Sequence, residues 1–261
     1  MTRSNDPLFG KVSERVLLKN APLVRTLGQV TFPKIVKISE ESYIANFQEA
    51  IRGDYPNLKR DNIQSVEVNV DQLGMQHQTT ETVIWRFLDL ERIFRVSLRT
   101  DAITLETARY ESREEFMKRL KVVLNALSST IKPAAVTRVG FRYVNRIKGE
   151  ESVRSLSKLI RPELLNVLQP NLLQHIEYSM TDIACQTKEG KLIVRYGMAP
   201  PKYTHDPDSV PLVDDTSWVF DIDSFSTNCE GSDFEPDFLC EELNKVAARA
   251  YTFFKDRKSV V

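Results

Sequence analysis

The stretch VTRVGFRYVNRI, Val136–Ile147, decides the fold. Its residues alternate in character with a period of two, as they do in a β-strand that has one buried face. One parity carries apolar side chains, and the other carries Arg138, Arg142 and Arg146. The stretch therefore predicts a sheet that is covered by other elements on one face and polar on the other face.

Outward from this strand, the second half of the chain has the order β-α-β-β-β-α. The long stretch of residues 199–216, which is rich in Pro and Asp, separates its last two strands as a loop. Periodicity and turn signals place the elements at about Ala135–Ile147, Ser152–Ile160 continuing past Pro162 to Leu168, His175–Gln186, Lys191–Met198, Ser217–Phe225 and Pro236–Phe254.

The first half has a similar order, β-α-β-β-β-β-α. Ser112 and Glu115 form a capping box that marks the start of its last helix. The predicted elements span about Leu27–Val36, Glu40–Gly53, Ile63–Val70, Thr80–Leu88, Ile93–Leu98, Ala102–Ala108 and Arg113–Thr130.

These two orders predict an α+β fold built from a duplicated βαββ(β)βα unit. We expect a mobile arm over residues 1–20, a first half over 21–132 and a second half over 133–261, packed as one globular unit with a curved antiparallel sheet and the long helices on one face. This is the element order of TATA-binding-protein-like folds, and because fold does not determine function, it implies no recognition of TATA sequences.

Composition narrows the class of protein. The chain has 261 residues, a formal net charge of zero and 41% hydrophobic residues, values of an ordinary globular protein. No window approaches 18 apolar residues, so no membrane span is expected. An odd count of three cysteines indicates a reducing compartment, and we expect a cytoplasmic location. The chain lacks the usual phosphate-loop, dinucleotide, zinc-protease and nucleophile-elbow motifs, so we expect no cofactor and lean against an enzyme.

The neutral total conceals two oppositely charged segments. Lys118–Arg161 holds 11 Lys and Arg against two acidic residues, whereas Tyr203–Asn244 holds 12 acidic residues and no Lys or Arg. The two segments either meet in space and neutralise each other or present opposite faces.

The arginine parity has two interpretations. Arg138, Arg142 and Arg146 could bind an anionic ligand or the phosphates of a nucleic acid, because guanidinium groups make bidentate contacts with such groups. Alternatively, Asp221 and Asp223 of the strand WVFDIDSF could face Arg138 and Arg142 in a cross-strand ladder of ion pairs.

Three further features complete the set of candidate residues. Tyr143 and Asn145 lie on the apolar parity, where we expect a buried ring and a buried hydrogen-bonded amide. Asp221 and Asp223 share one strand face, which makes them weak candidates for a metal site completed by Asp214, Asp215 or Glu242. The candidate ligand-binding residues are Arg138, Arg142, Arg146, Tyr143 and Asn145.

Four motifs occur in an order that resembles a sporadically distributed prokaryotic protein family with no assigned function. They are NAPLV at Asn20–Val24, FQEAIRGDYP at Phe47–Pro56, RVGFRYVNRI at Arg138–Ile147 and FDIDSF at Phe220–Phe225. The resemblance implies a bacterial or archaeal cytoplasmic protein from a family whose patchy distribution is typical of mobile elements, toxin–antitoxin loci and antiviral defence. It implies no catalytic residues.

Taken together, these features predict a non-enzymatic recognition subunit, of a prokaryotic defence or toxin–antitoxin-type system, that binds a protein partner encoded nearby or an anionic ligand. Two alternatives stay open: a nucleic-acid-binding protein that uses the arginines, and a metal-dependent nuclease or hydrolase that uses Asp221 and Asp223. The sequence also leaves a homo-oligomer open.

Overall fold

The computed structural model describes residues 21–71, 74–165, 168, 172 and 175–257, with side chains described outside 64–81. The predicted N-terminal arm, residues 1–20, lies outside the described residues. Within the described part, the protein is a mixed α+β structure with one large, curved antiparallel sheet and helices packed against it.

The sheet has nine strands in the described part of the chain, in the order β2-β3-β4-β5-β1-β6-β9-β8-β7. Strands β1 and β6, which open the two halves of the sequence, therefore pair at its centre. The bounds are β1 Leu23–Thr31, β2 Asn57–Asp71, β3 Gly74–Leu88, β4 Phe94–Arg99, β5 Ala102–Thr107, β6 Arg138–Lys148, β7 Ser179–Gln186, β8 Lys191–Ala199 and β9 Ser217–Ser226.

Three long helices and several short ones complete the described part. The helices are α1 Glu41–Ile51, α2 Arg113–Thr130, α3 Glu150–Arg154, α4 Leu156–Leu159, α5 Pro162–Leu165 and α6 Pro236–Arg257, and a 3-10 turn at Val36–Ser39 precedes α1. None of the described helices has both the length and the apolar character needed to cross a bilayer.

Helices α2 and α6 pack against each other, and α6 packs on β6 and β9. The predicted cap of α2 is confirmed: the Ser112 hydroxyl accepts a hydrogen bond from the Glu115 backbone N–H at 3.0 Å. Phe116 of α2 stacks edge-on against Phe141 of β6, with ring centroids 5.2 Å apart. The apolar parity predicted for β6 therefore faces the helices.

A glycine on β1 sets how closely α2 approaches the sheet. A Cβ atom at Gly28 would lie 2.9 Å from Leu120 Cδ2 and 3.0 Å from Phe116 Cε1. Because real Cβ atoms essentially never come that close to other atoms, only glycine lets the helix rest directly on this strand.

Several predicted boundaries differ from the structure. The first strand was expected at Leu27–Val36, but β1 begins at Leu23 and ends at Thr31. Pro33 lacks a backbone N–H and cannot extend the ladder, so the chain leaves the sheet and turns into the 3-10 segment. Strands β2 and β3 are each 15 residues long and form a longer hairpin than their apolar residues alone indicate.

A candidate ligand cleft on the arginine face

The sheet face opposite the helices carries seven arginines on four of its nine described strands. We call it the arginine face and define it by Arg86, Arg95, Arg99, Arg138, Arg142, Arg146 and Arg195. Cross-strand register brings them to one side, since Leu27 of β1 pairs with Arg142 and with Glu106, and Glu106 pairs in turn with Arg95. Segment 203–211, which we call the strap, crosses this face.

Arg142 of β6 is the central contact of the arginine face. Its Nε and Nη2 donate hydrogen bonds to the two carboxylate oxygens of Asp221 at 2.8 and 2.7 Å, and its Nη1 donates to Asp206 Oδ2 at 2.6 Å. Burial alone would raise the pKa of Asp221, but the hydrogen bonds from His205 and Arg142 outweigh burial and lower it. Arg142 thus joins a strand of the sheet to the strap.

Arg138 makes a second ladder contact beside the first. Its Nη2 donates to Asp223 Oδ2 at 3.1 Å, its Nη1 donates to Gln29 Oε1 at 3.0 Å, and its guanidinium lies 4.1 Å from the centre of the Phe225 ring. Gly140 leaves room for this position, since a Cβ there would lie 3.2 Å from Arg138 Nη2. Burial raises the pKa of Asp223 although Arg138 is its neighbour.

These contacts show how the charged segments of the chain are arranged in space. The basic and acidic segments meet in space, through Arg138–Asp223 and through Arg142 with Asp221 and Asp206. The predicted cross-strand ladder is therefore present. It runs diagonally, because the register partner of Arg142 is Asp223.

Arg146 anchors the strap. Its Nε donates to Ser217 Oγ at 2.9 Å, its Nη2 donates to the Tyr203 carbonyl at 3.1 Å, and its Nη1 donates to the Pro211 carbonyl. The arginine is buried, and burial lowers its pKa. The two carbonyls belong to the first and last residues of the strap, so the guanidinium of Arg146 binds the strap at both ends.

The arginine face carries a second cluster of charged side chains. Its arginines lie in the first half of the chain, and the sequence patterns do not predict them as site residues. Asp208 of the strap contacts Arg86 Nη2 at 2.8 Å and Arg95 Nη2 at 3.1 Å. Arg95 also contacts Glu106, whose pKa is raised by burial in spite of this arginine. Arg86 Nη1 and Arg95 Nε are buried without a hydrogen-bond partner.

The strap holds its own conformation. Its ends are tied by a hydrogen bond from Lys202 N to the Val213 carbonyl at 2.7 Å. Asp206 Oδ1 accepts from the backbone N–H groups of Asp208 and Ser209, both at 3.2 Å. Closed ends and local hydrogen bonds are features of an Ω-loop.

A cavity of about 340 Å³ opens between the strap and the arginine face. Its lining combines three kinds of side chain: apolar ones, neutral hydrogen-bonding ones and charged ones. They are Leu27, Ile63 and Ile84; Gln29, Ser97, Thr104 and Ser209; and Arg99, Arg138, Arg142, Glu106, Asp206, Asp208 and Asp223, with Gly140 in the wall. The volume lies within the range of about 300–1,000 Å³ typical of small-molecule sites.

A second cavity of about 270 Å³ lies on the other side of Arg142 and Asp206. His205 forms one wall, and its Nε2 lies 2.8 Å from Asp221 Oδ2. The described residues that line this cavity are Arg142, Ile193, Arg195, His205, Asp206, Asp221 and Asp223, and they include no Ser, Thr, Cys or Lys that could serve as a nucleophile.

The remaining candidate residues lie elsewhere. Tyr143 faces the helices, where its ring is buried and its hydroxyl lies 3.1 Å from that of Tyr110. Asn145 is buried and donates to the Phe220 carbonyl at 3.2 Å. The structure therefore brings Arg138, Arg142 and Arg146 together on one face but places Tyr143 and Asn145 on the opposite face of β6.

The two weak metal candidates are engaged by cationic side chains. Both carboxylate oxygens of Asp221 accept hydrogen bonds from Arg142, and Asp223 is paired with Arg138. No group of three or more His, Cys, Asp or Glu residues in the described part of the chain is arranged to hold a metal ion.

A scan against protein-family models and a search of curated proteins found no match for this chain.

Proposed function

We propose that this protein is a non-enzymatic recognition subunit that binds an anionic ligand in the cleft between the strap and the arginine face. The observation that carries the proposal is the cavity of about 340 Å³, whose wall holds Arg99, Arg138 and Arg142 beside four carboxylates that are each paired with an arginine. Guanidinium groups bind phosphate and carboxylate groups through paired hydrogen bonds, and a partly enclosed site strengthens those contacts.

The neutral part of the lining supports a ligand with an organic portion. Leu27, Ile63 and Ile84 offer an apolar wall, whereas Gln29 and Thr104 offer hydrogen-bond donors and acceptors. Small-molecule sites combine such surfaces with a few charged groups that fix orientation.

Arg99 is the arginine best placed to accept a new anion. Its partner is Asp101, which is close in sequence and half-exposed, and 43% of the Arg99 side chain is exposed. An exposed pair of this kind contributes about 1 kcal/mol or less to stability, so a ligand can compete for the guanidinium at low cost.

The biological setting rests on the sequence alone. The resemblance to the sporadically distributed prokaryotic family supports a place in a defence or toxin–antitoxin-type system, where a protein partner encoded nearby is the second expected ligand. The motifs that carry this resemblance include Arg138, Arg142, Asp221 and Asp223. The same resemblance supports a cytoplasmic location.

We also propose that the fold arose by duplication of a βαββ(β)βα unit in the TATA-binding-protein-like order. The strand order supports this, because each half starts at the centre with β1 or β6, leads to an edge and returns through β5 or β9. The packing of α2 on α6 supports it as well, because each of these helices closes its half.

Isothermal titration calorimetry with inorganic triphosphate tests the proposed function. The wild type is expected to bind this probe at about 50 mM salt and to bind it more weakly at about 200 mM salt. The variant Arg99→Gln is expected to bind about tenfold more weakly, which corresponds to about 1.4 kcal/mol for the loss of one guanidinium contact.

Arg109→Gln is the matched control. Arg109 is also an exposed arginine with a single carboxylate partner, Glu91, but it does not line the cavity. The affinity of the Arg109→Gln variant for triphosphate is expected to equal that of the wild type. An equal loss in both variants, or no binding by the folded wild type, would contradict the proposed function.

A further inference from the structure

The strap crosses the arginine face and separates two cavities, which adjoin at the contact between Arg142 and Asp206. The cavities of about 340 and 270 Å³ share Arg142, Asp206 and Asp223 in their walls. The bond from Arg142 Nη1 to Asp206 Oδ2, 2.6 Å long, therefore forms part of the partition between them.

Without the strap, these cavities form one groove across the sheet. Its lining reaches from Ile63 on β2 to Arg195 on β8, and these two strands are seven neighbour steps apart in the strand order. At about 4.8 Å per step, the groove is about 34 Å long. A groove of that length suits an extended chain better than a compact small molecule.

The strap also supplies the negative charge that balances the groove. Asp206 contacts Arg142, and Asp208 contacts Arg86 and Arg95, so two carboxylates are bound by three arginines. When both carboxylates leave, four arginines (Arg99, Arg138, Arg142 and Arg195) and three carboxylates (Glu106, Asp221 and Asp223) line the groove.

Polar contacts hold much of the strap in place. Arg146 binds two of its carbonyls, and His205 contacts Asp221. Arg86 Nη1 and Arg95 Nε remain buried without a hydrogen-bond partner beside Asp208, which marks them as donors that the strap does not satisfy. A ligand with more acceptor oxygens than two carboxylates would satisfy donors that the strap leaves unpaired.

We propose that Asp206 and Asp208 stand in for phosphates, and that the ligand of the arginine face is a single-stranded nucleic acid that displaces the strap and lies along the joined groove. This inference rests on the proposed function, since it identifies the anionic ligand of the same site. Proteins with OB folds hold about 4 to 16 nucleotides of a single strand per fold in a positively charged groove.

Fluorescence anisotropy with labelled thymidylate oligomers of two to eight nucleotides tests the inference. The variant that carries both Asp206→Asn and Asp208→Asn is expected to bind the longer oligomers about tenfold or more tightly than the wild type, because the arginines no longer have to release the carboxylates of Asp206 and Asp208 before they bind phosphates. Asparagine keeps the oxygen that accepts the backbone bonds of the strap, so its local conformation is retained.

The variant with both Asp214→Asn and Asp215→Asn is the matched control. These two exposed residues follow the strap, and the change in net charge is the same. Its affinity is expected to stay close to that of the wild type. Equal tightening in both double variants would overturn the inference, because general charge would then explain the effect.

The length dependence separates this inference from the proposed function. Affinity is expected to rise with oligomer length up to the span of the groove and to exceed that for inorganic triphosphate. Triphosphate binding without oligomer binding would overturn the inference and leave the proposed function standing. If neither probe binds to any of the folded proteins, both are overturned.

Discussion

Arg142 on β6 and Asp221 on β9 form a two-bond ion pair that crosses the ladder diagonally, since the register partner of Asp221 is Val144. Because Nε and Nη2 of Arg142 donate to Asp221, its Nη1 is left to donate a hydrogen bond to Asp206 of the strap. One side chain therefore contributes both to the sheet and to the closure of the cleft.

This pair predicts a large effect of Asp221→Asn on stability. Asp221 is 6% exposed, so the substitution leaves a largely buried arginine without its main counter-charge. The free energy of unfolding is expected to fall by about 3 kcal/mol. Urea titration followed by tryptophan fluorescence measures it, because Trp85 and Trp218 are both buried.

Asp182→Asn serves as the control for that measurement. Asp182 forms the same kind of pair with Arg195, but 57% of its side chain is exposed. The expected loss is below about 1 kcal/mol. A similar loss in both variants would show that the Arg142–Asp221 pair stabilises the folded protein no more than an exposed ion pair does.

The two aspartates of β9 predict opposite dependences on pH. The pKa of Asp221 is lowered, so its contribution to stability is present above the unfolded pKa of about 3.9 and is lost as the pH falls through the folded pKa. The destabilisation caused by Asp221→Asn is therefore expected to shrink as the pH falls below about 3.9 towards the lowered folded pKa.

Asp223 behaves in the reverse way because its pKa is raised in the folded protein. As the pH falls, Asp223 takes up its proton in the folded state before it does so in the unfolded state. The free energy of unfolding therefore rises as the pH falls through the folded pKa of Asp223. The destabilisation by Asp223→Asn is expected to increase as the pH falls from the raised folded pKa of Asp223 towards about 3.9, the unfolded value. Parallel pH profiles for the two variants would refute the opposite pKa directions.

The contact between Gly28 and α2 predicts an overpacking defect. Gly28→Ala places a methyl group 2.9–3.0 Å from the side chains of Leu120 and Phe116, so these side chains, or the helix that carries them, have to shift. The expected loss is about 1 to 3 kcal/mol in urea unfolding. Gly53→Ala adds the same methyl group where nothing lies within 4 Å, and we expect no loss there; a loss of similar size at both sites would mean that helix packing is not its cause.

Much of the fold follows from local patterns in the sequence. The period-two alternation in β6 predicts which of its side chains face the helices and which face the other side of the sheet. The two aspartates of the FDIDSF segment predict the ladder partners of Arg138 and Arg142. Both signals are local, because side chains two residues apart on a strand share a face. The predicted end of the first strand at Val36 is wrong because Pro33 lacks a backbone N–H and the ladder already ends at Thr31.

The strap could not be predicted from those patterns. Asp206 lies 64 residues from Arg142, and Asp208 lies 113 residues from Arg95. These contacts arise only once the sheet has brought β3, β4 and β6 to one face. The acidic composition of the loop was visible in the sequence, but its place on the arginine face depends on the strand order.

The most direct measurement of the central claim is a crystal structure of the protein with inorganic triphosphate. We predict phosphate oxygens within hydrogen-bonding distance, about 2.7–3.2 Å, of Arg99 and Arg138 inside the cavity of about 340 Å³. If the probe binds on another surface, or if Arg99 and Arg138 keep Asp101, Asp223 and Gln29 as partners and contact no phosphate at saturating triphosphate, the assignment of this cleft as an anion site is wrong.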